Sequence, residues 1–305
     1  MSELSDRLHS WMATGRFEQI DGAEIWYRVE GQGPWLVCVH GFPTSSRDWM
    51  WLLPLLSGHF RVLIFDLPGF GLSEKNPSRD YALQRQCDVL EALCRRLDIT
   101  EAHILAHDMG NSVVSELLYR VEQDETRLIP QTVSLLNGGI YMDLHQPLPT
   151  QRLLRLPVLG GLTARLSSYK VFRHQYPQVY ADPDTFDEDH YREQWQLILN
   201  GGGRKTLAKV AGYMRERVKM GERWTGPLER MAAPMQLIWG MEDPIALPAI
   251  AERLVAKNPN AEWVKLEGIG HYPQLEFPER TAAAIVRFVQ SHITDDAPLP
   301  TVTSH

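Results

Sequence analysis

Three ionisable residues that lie far apart in the chain share a similar local setting. Asp108, Asp243 and His271 each come shortly after a short apolar run of the kind that forms a buried strand. A carboxylate, with a reference pKa of about 3.9, is ionised at neutral pH and needs no base before it attacks. Such a nucleophile suits an sp3 carbon that bears a leaving group. The set therefore predicts catalysis through an alkyl ester on the enzyme.

The sequence around Asp108, Ala106-His107-Asp108-Met109-Gly110, predicts a sharp turn between a buried strand and an amphipathic helix that runs from Asn111 to about Gln123. Small residues two positions before and after Asp108 allow the backbone to fold tightly there. Because aspartate is also a favoured helix N-cap, Asp108 taken alone could simply cap this helix. The other candidate residues favour the interpretation of Asp108 as a nucleophile.

A general base and its partner are predicted near the C-terminus. His271 lies in a glycine-rich loop after the last predicted strand, where it can reach a water above the turn at Asp108. A third group must fix the imidazole tautomer and stabilise its positive charge. We predict Asp243 for this role, although neighbouring Glu242 is an alternative and Asp243-Pro244 could be only a turn.

The loop His40-Gly41-Phe42-Pro43 follows a further apolar run, Trp35 to Val39. Gly41 lets the backbone turn closely, so that the Phe42 amide should point into the site. Together with the Met109 amide it is predicted to form an oxyanion hole for the carbonyl oxygen of the Asp108 ester. His40 is predicted only to brace the loop.

Composition limits the function classes. The 305 residues, of which 44% are hydrophobic, suffice for a large α/β domain with an insertion. A formal charge of −7 argues against a nucleic-acid or anionic-membrane partner, since both require clustered Lys and Arg. The expected partner is a small-molecule substrate, and the expected state is a monomer or homodimer.

Cysteine usage and the N-terminus predict a reduced, cytoplasmic protein. Cys38, Cys87 and Cys94 lie in apolar patterns without metal-type spacing, and we interpret them as core thiols. The N-terminus lacks the basic start and apolar run of a signal peptide. No span approaches the roughly 20 apolar residues of a membrane helix.

Short apolar runs alternate with helical patterns, which predicts an α/β fold with a mostly parallel sheet. The predicted strands are Phe17 to Ile20, Glu24 to Val29, Trp35 to Val39, Val62 to Phe65, Ala102 to Ala106, Thr132 to Leu136, Met235 to Trp239 and Glu262 to Leu266. Between the sixth and seventh strands the pattern is helical. We predict core segments at 1–140 and 227–294, a helical cap at 141–226 and a disordered tail at 295–305.

The turn at Asp108, the His40 loop, the glycine-rich loop Asp66 to Ser73, Asp243 and His271 together resemble the α/β-hydrolases, over about residues 17–292. The chain order nucleophile, acid, base is that of this fold. The His-Asp-x-Gly turn is similar to the branch that contains epoxide hydrolases and haloalkane dehalogenases. Residues 137–140 and 271–276 also resemble the mesoderm-specific transcript proteins, a likeness that implies no substrate.

The resemblance suggests two possible leaving groups, a halide or an alkoxide. Haloalkane dehalogenases hold the halide with an Asn and a Trp where this chain has Phe42 and Met109, although a cap residue, Trp195, could substitute. Epoxide hydrolases protonate the departing alkoxide with two cap tyrosines. Tyr213 best matches the second, and Tyr169 and Tyr176 compete for the first.

The resemblance therefore implies an epoxide hydrolase that acts on a small apolar epoxide without a metal or an organic cofactor. Two alternatives stay open. One is a haloalkane dehalogenase, or another hydrolase with the same triad. The other is a non-catalytic ligand receptor of the same fold, against which the intact triad counts.

Overall fold

The computed structural model describes residues 4–156 and 158–293. The tail predicted at 295–305 lies outside the described residues. Eight strands form one sheet; they are β1 Arg16–Ile20, β2 Ala23–Glu30, β3 Trp35–Val39, β4 Arg61–Phe65, β5 Glu101–His107, β6 Ile129–Leu136, β7 Met235–Gly240 and β8 Ala261–Leu266. Each predicted strand lies within one of these, so the α/β fold prediction is confirmed.

The strand order across the sheet is β1-β2-β4-β3-β5-β6-β7-β8. β2 pairs antiparallel with both β1 and β4, whereas all pairs from β4 to β8 are parallel. The carboxyl ends of the parallel strands therefore lie along one edge of the sheet. Loops at this edge are where α/β proteins bind their ligands.

Helices cover both faces of the sheet. They are α1 Asp6–Ala13, α2 Leu52–Leu56, α3 Leu83–Arg96, α4 Met109–Glu122, α5 Pro149–Leu154, α6 Leu159–Leu166, α7 Tyr169–Gln175, α8 Glu188–Leu199, α9 Leu207–Val210, α10 Tyr213–Arg230, α11 Pro248–Lys257, α12 Pro273–Glu276 and α13 Pro278–His292. Short 3₁₀ helices occupy Ser46–Trp49, Tyr176–Val179 and Asn200–Lys205. The helices α5 to α10, here called the inserted helices, all lie between β6 and β7.

Two apolar layers hold the sheet between the helices. Along β3, Val37 and Val39 belong to one buried cluster, and Leu36 and Cys38 belong to the other. This is the pattern of a strand buried on both faces, which explains its unbroken apolar sequence. The three cysteines are all buried and unbridged, as predicted for core thiols.

Some local features differ from the sequence expectation. Apolar periodicity does not predict α1 or α2, because each is short and buries few side chains. The helix expected from Asn111 begins at Met109, since the backbone reverses within the single residue Asp108. Among the described residues, we find no helix with the length and apolar character needed to span a bilayer.

Candidate active site

Asp108 lies at the turn between β5 and α4 in a strained backbone conformation. Its φ of 48° and ψ of −111° fall in a region that residues other than glycine rarely adopt, at a cost of order 1–3 kcal/mol. Two glycines make room for the turn. A Cβ at Gly41 would lie 2.5 Å from the Asp108 Cβ, and one at Gly110 would lie 2.3 Å from the Val39 carbonyl oxygen.

The Asp108 carboxylate points toward the His40 loop and not along its own helix. Although Asp108 occupies the N-cap position of α4, its side chain makes no capping hydrogen bond. Instead, the Phe42 amide donates to Asp108 Oδ2 over 2.9 Å. The helix-cap interpretation of Asp108 therefore fails, and the Phe42 amide lies where an oxyanion donor is needed. Met109 begins α4 directly after Asp108, and the role of its amide stays a prediction.

The surroundings of Asp108 favour its ionised form. Burial alone would raise the pKa of the Asp108 carboxyl. His271, Arg217, His107 and the Phe42 amide outweigh that effect, so that the pKa lies below its ordinary value. A buried aspartate in this setting is a carboxylate at neutral pH, which is the form that can attack carbon.

His271 lies between the two aspartates. Its Nδ1 is 2.7 Å from Asp243 Oδ2, and its Nε2 is 3.8 Å from Asp108 Oδ1. Burial lowers the pKa of His271. The charges of Asp243 and, next, Asp108 outweigh this effect, so that the pKa lies above its ordinary value. Because Asp243 accepts from Nδ1–H, the neutral imidazole presents Nε2 as a free base toward Asp108.

Asp243 is held in place by several donors. Its Oδ1 accepts from the amides of Ile245 and Ala246 over 2.7 and 3.0 Å, and its Oδ2 also accepts from Asn137 Nδ2 over 2.7 Å. Glu242, the alternative candidate, is exposed. The structure thus brings Asp243, and not Glu242, to His271.

Asn137, directly after β6, joins Asp108 to Asp243. Its carbonyl accepts from the Asp108 amide over 3.0 Å, while its side chain binds Asp243 and both backbone groups of Gly240. Sequence reasoning missed this residue. Its only signal was its position directly before Gly138-Gly139, at the end of a predicted strand.

Two further residues that sequence reasoning missed hold the His271 loop. The neutral ring of His107 donates from Nε2 to the His271 carbonyl over 2.8 Å, and burial lowers its pKa to about 3. Glu276 accepts from the amides of Gly270 and Tyr272, on either side of His271, over 2.9 and 3.0 Å. His107 directly precedes Asp108 and Glu276 lies five positions after His271, but nothing in a single sequence showed these contacts.

The segment between α7 and α8 also binds the His271 loop, through the backbone of Val179 and Ala181. The His271 amide donates to the Val179 carbonyl over 2.8 Å, and the Ala181 amide donates to Glu276 over 2.9 Å. Gly270 allows this approach, since a Cβ there would lie 2.5 Å from the Val179 carbonyl oxygen.

His40 braces its loop. The Leu67 amide donates to His40 Nε2 over 3.0 Å, so the proton is on Nδ1, which donates to the Gly41 carbonyl over 2.8 Å. Burial lowers the pKa of this histidine. In the neighbouring Asp66 to Ser73 loop, the buried Asp66 carboxylate accepts from the amides of Ser46 and Leu72. These contacts shape the two loops.

Arg217 of α10 brings a buried positive charge to the nucleophile. Its Nη2 donates to the Asp108 carbonyl over 3.1 Å and its Nε to Ser112 Oγ over 2.5 Å. Only 4% of Arg217 is exposed, and no carboxylate within the described residues forms an ion pair with it. Sequence reasoning missed Arg217, because nothing local distinguishes it from the other arginines of the helix.

Replacing Arg217 with Met should shift the pH dependence of the attack by Asp108. Arg217 helps to lower the pKa of Asp108, so its loss should raise that pKa. Because a carboxylate is the form that can attack carbon, the acidic limb of an alkylation rate profile should move to higher pH. Single-turnover alkylation rates measured against pH test this, with the exposed Lys219→Met as the matched control. An unmoved acidic limb in a folded variant would contradict the assigned role.

A mostly apolar cavity lies above these residues. At its base are Phe42, His271 and Tyr272, and its walls come largely from the inserted helices, including Leu154, Phe172, Trp195 and Ile198. Tyr176, one of the two competing candidates for the first tyrosine, also lines this cavity and is buried. The cavity suits a small apolar molecule that contacts His271, whose Nε2 is 3.8 Å from Asp108 Oδ1.

Tyr213, at the start of α10, is buried beside Phe42, with ring centroids 5.5 Å apart. Its hydroxyl has no hydrogen-bond partner among the residues that the structure describes. Burial, and then the charge of Asp108, raise the pKa of Tyr213 well above its ordinary range. The phenol is therefore protonated at neutral pH. Tyr213 is not one of the residues that line the cavity, but its ring contacts Phe42, which is.

The structure does not bring Tyr169 to the cavity. Its ring contacts Phe172 and Trp195 of the cavity wall, but its hydroxyl donates to Oε1 of the exposed Glu188 over 2.5 Å. The prediction of Tyr169 as a proton donor is therefore wrong on geometry. Helix α7 begins at Tyr169, and the pairing with Glu188 of α8 fixes the hydroxyl outside the site.

The described residues contain no cluster of three or more His, Cys, Asp or Glu side chains that could hold a metal ion. The groups that the structure gathers around Asp108 are a carboxylate, an imidazole with its own carboxylate, an amide donor, a guanidinium and a phenol. Such a set can carry out nucleophilic attack, proton transfer and stabilisation of an oxyanion.

Comparison with known proteins agrees with this architecture. A model of the alpha/beta hydrolase family matches residues 36–284. The mesoderm-specific transcript protein of Mus musculus is 35% identical over 300 residues, which span 95% of this chain and 90% of that protein.

Two solved structures share the fold. The epoxide hydrolase CorEH has a TM-score of 0.77 at 21% identity, over 91% of this chain and 99% of its own. The haloalkane dehalogenase DbeA of Bradyrhizobium elkani has a TM-score of 0.78 at 21% identity, over 91% of this chain and 98% of its own.

Proposed function

This chain belongs to the alpha/beta hydrolase family, and on that premise we propose that it hydrolyses a small apolar epoxide through a covalent ester on Asp108. In this proposal His271 is the base, Asp243 orients it, and residues 141–226 act as the cap that forms most of the substrate cavity. The observation that carries the epoxide assignment is the buried, unpaired hydroxyl of Tyr213 beside Phe42.

In the first step, Asp108 Oδ1 attacks an epoxide carbon and the carbon–oxygen bond of the ring breaks. The departing alkoxide is a strong base, so a proton must reach it, and Tyr213 supplies one. The product is a hydroxyalkyl ester of Asp108 and a tyrosinate. Oδ2, which already accepts from the Phe42 amide, becomes the ester carbonyl oxygen.

In the second step, His271 Nε2 removes a proton from a water molecule as its oxygen adds to the ester carbonyl carbon. The Phe42 amide stabilises the negative charge that develops on Oδ2. Collapse of this intermediate releases the diol and restores the Asp108 carboxylate. Of the two water protons, one completes the diol and the other restores Tyr213.

A haloalkane dehalogenase is the second candidate, and one observation favours it. Trp195 lines the cavity, where its ring could contact a halide. Phe42 and Met109, however, occupy the positions where dehalogenases are expected to hold the halide. A halide leaves without a proton, so this reaction would have no use for Tyr213.

Tyr213→Phe separates the two reactions. Phe keeps the ring and its packing on Phe42, so the change removes only the hydroxyl. We expect opening of styrene oxide to slow by roughly 10²-fold, the usual size of a general-acid contribution. Release of bromide from bromobutane, if it occurs, should be unaffected. Diol formation and halide release are measured on both proteins.

Tyr169→Phe is the matched control, because the Tyr169 hydroxyl is bound to Glu188 outside the cavity. This variant should open the epoxide at the parental rate. An unchanged epoxide rate in Tyr213→Phe, or bromide release without diol from any of the three proteins, would overturn the epoxide assignment.

A further inference from the structure

The inserted helices α5 and α6 carry an exposed apolar surface. Of the twelve exposed large apolar side chains of the described residues, half lie within residues 153–166. Val158 is 85% exposed and Leu166 is 71% exposed. We call this surface the insertion patch; it consists of Leu153, Leu156, Val158, Leu159, Leu162 and Leu166.

The outer face of α6 explains why these side chains are not buried. Leu159, Leu162 and Leu166 follow the i, i+3, i+7 spacing that places residues on one side of a helix. Gly160 and Ala164 are buried instead, so the small residues of α6 pack inward and its leucines face out. An exposed apolar helix face of this kind is a candidate site of interaction.

The charges within the chain segment that carries the patch are all of one sign. Residues 144–181 contain no Asp or Glu but five Lys and Arg, in a chain whose formal net charge is −7. Of these five, Arg152, Arg165 and Lys170 are exposed and make no ion pair with any described residue. The chain therefore has a local basic region, although its overall charge is negative. The overall charge alone argued against an anionic partner.

We propose that the insertion patch binds an anionic membrane surface. Leucines on one face of a helix, with arginines beside them, are the combination by which amphipathic helices lie in the lipid interface. The patch also borders the substrate cavity, since Leu154 of α5 lines that cavity between the exposed Leu153 and Leu156. Bound in this way, the protein would take apolar molecules directly from the lipid phase.

Flotation of the full chain with vesicles tests the proposal without any turnover, so its outcome is independent of the proposed reaction. The protein should float with vesicles of phosphatidylcholine containing about a third phosphatidylserine, and much less with phosphatidylcholine alone. Raising the ionic strength should weaken the binding.

Two double variants separate the apolar and charged contributions. Leu162→Ser with Leu166→Ser should lower partitioning into the mixed vesicles roughly tenfold or more. Arg152→Gln with Arg165→Gln should lower partitioning into the mixed vesicles roughly fivefold for each arginine. Partitioning into phosphatidylcholine alone should not change. The control, Leu55→Ser with Ile129→Ser, removes exposed apolar side chains elsewhere and should bind as the parent does.

All variants change exposed residues, and circular dichroism verifies that they are folded. Absence of flotation by the parent would overturn the proposal, as would equal flotation by the Leu162/Leu166 variant. If the parent instead forms a concentration-dependent dimer that this variant loses, without binding vesicles, the patch is an interface with a second copy and the membrane proposal is wrong.

Discussion

Asp108→Asn should lower the turnover of epoxide by roughly 10⁴-fold or more, as expected when a covalent nucleophile is removed. The amide keeps the shape of the side chain and an oxygen that can accept from Phe42, so the turn should be preserved. What is lost is the negative charge that attacks carbon. Glu242→Gln, which neutralises an exposed carboxylate close to the site, should be fully active.

Isotope labelling shows whether the loss reflects covalent chemistry. In a single turnover of the parent in heavy-oxygen water, the label should enter the Asp108 carboxylate, because water adds to the acyl carbon of the ester. Mass spectrometry of the peptide that contains Asp108 detects it. Label found only in the diol would mean that water attacks the substrate directly and that Asp108 is not the nucleophile.

His271→Gln should leave alkylation of Asp108 largely intact and slow ester hydrolysis by orders of magnitude, since only the second step needs a base. The alkylated protein should therefore accumulate. Intact-protein mass spectrometry after incubation with epoxides and haloalkanes would detect it, and the mass of the adduct would identify the substrate class.

The exposed His174→Gln is the control for this variant and should show no adduct. Equal loss of alkylation and hydrolysis in a folded His271→Gln protein would contradict the division of the two steps between Asp108 and His271.

The pH dependence of the second step follows from the charges around His271. In the free enzyme, Asp243 and Asp108 raise the pKa of His271. Ester formation removes the charge of Asp108, so the pKa of His271 should fall in the alkylated enzyme. A base acts in its neutral form, and hydrolysis should therefore be lost only as the pH falls below this lowered value. His271 is therefore more readily neutral in the alkylated enzyme, which is the state in which it acts as a base.

Sequence reasoning predicted that Asp108, Asp243 and His271 lie together, because each depends on local pattern and chain order, and the structure places their side chains in contact. Asp108, Asp243 and His271 each follow a strand of the parallel sheet, and parallel strands end at the same edge. Once the strands are identified, the proximity of these three residues follows from the topology of the sheet. The Phe42 amide was found in the same way.

The residues that sequence reasoning missed act across long separations. Arg217 contacts the backbone of Asp108 from 109 positions away, and Asn137 reaches Asp243 over 106 positions. Neither contact has a local signature. Tyr169 was misplaced for a related reason, since the rotation of a short helix decides whether its first tyrosine faces the cavity or Glu188.

The hydrogen bonds that Val179 makes with His271 and Ala181 makes with the Glu276 carboxylate constrain how the molecule can open. A movement that separated Val179 and Ala181 from this loop would break the hydrogen bonds of His271 and Glu276 and displace the base. This junction is therefore suited to act as a fixed hinge. Helix α5, which contributes Leu154 to the cavity wall, makes no hydrogen bond with the His271 loop among the described residues, so it is the part of the wall best placed to move. A passage that opens on that side would admit substrate while the reacting groups stay aligned.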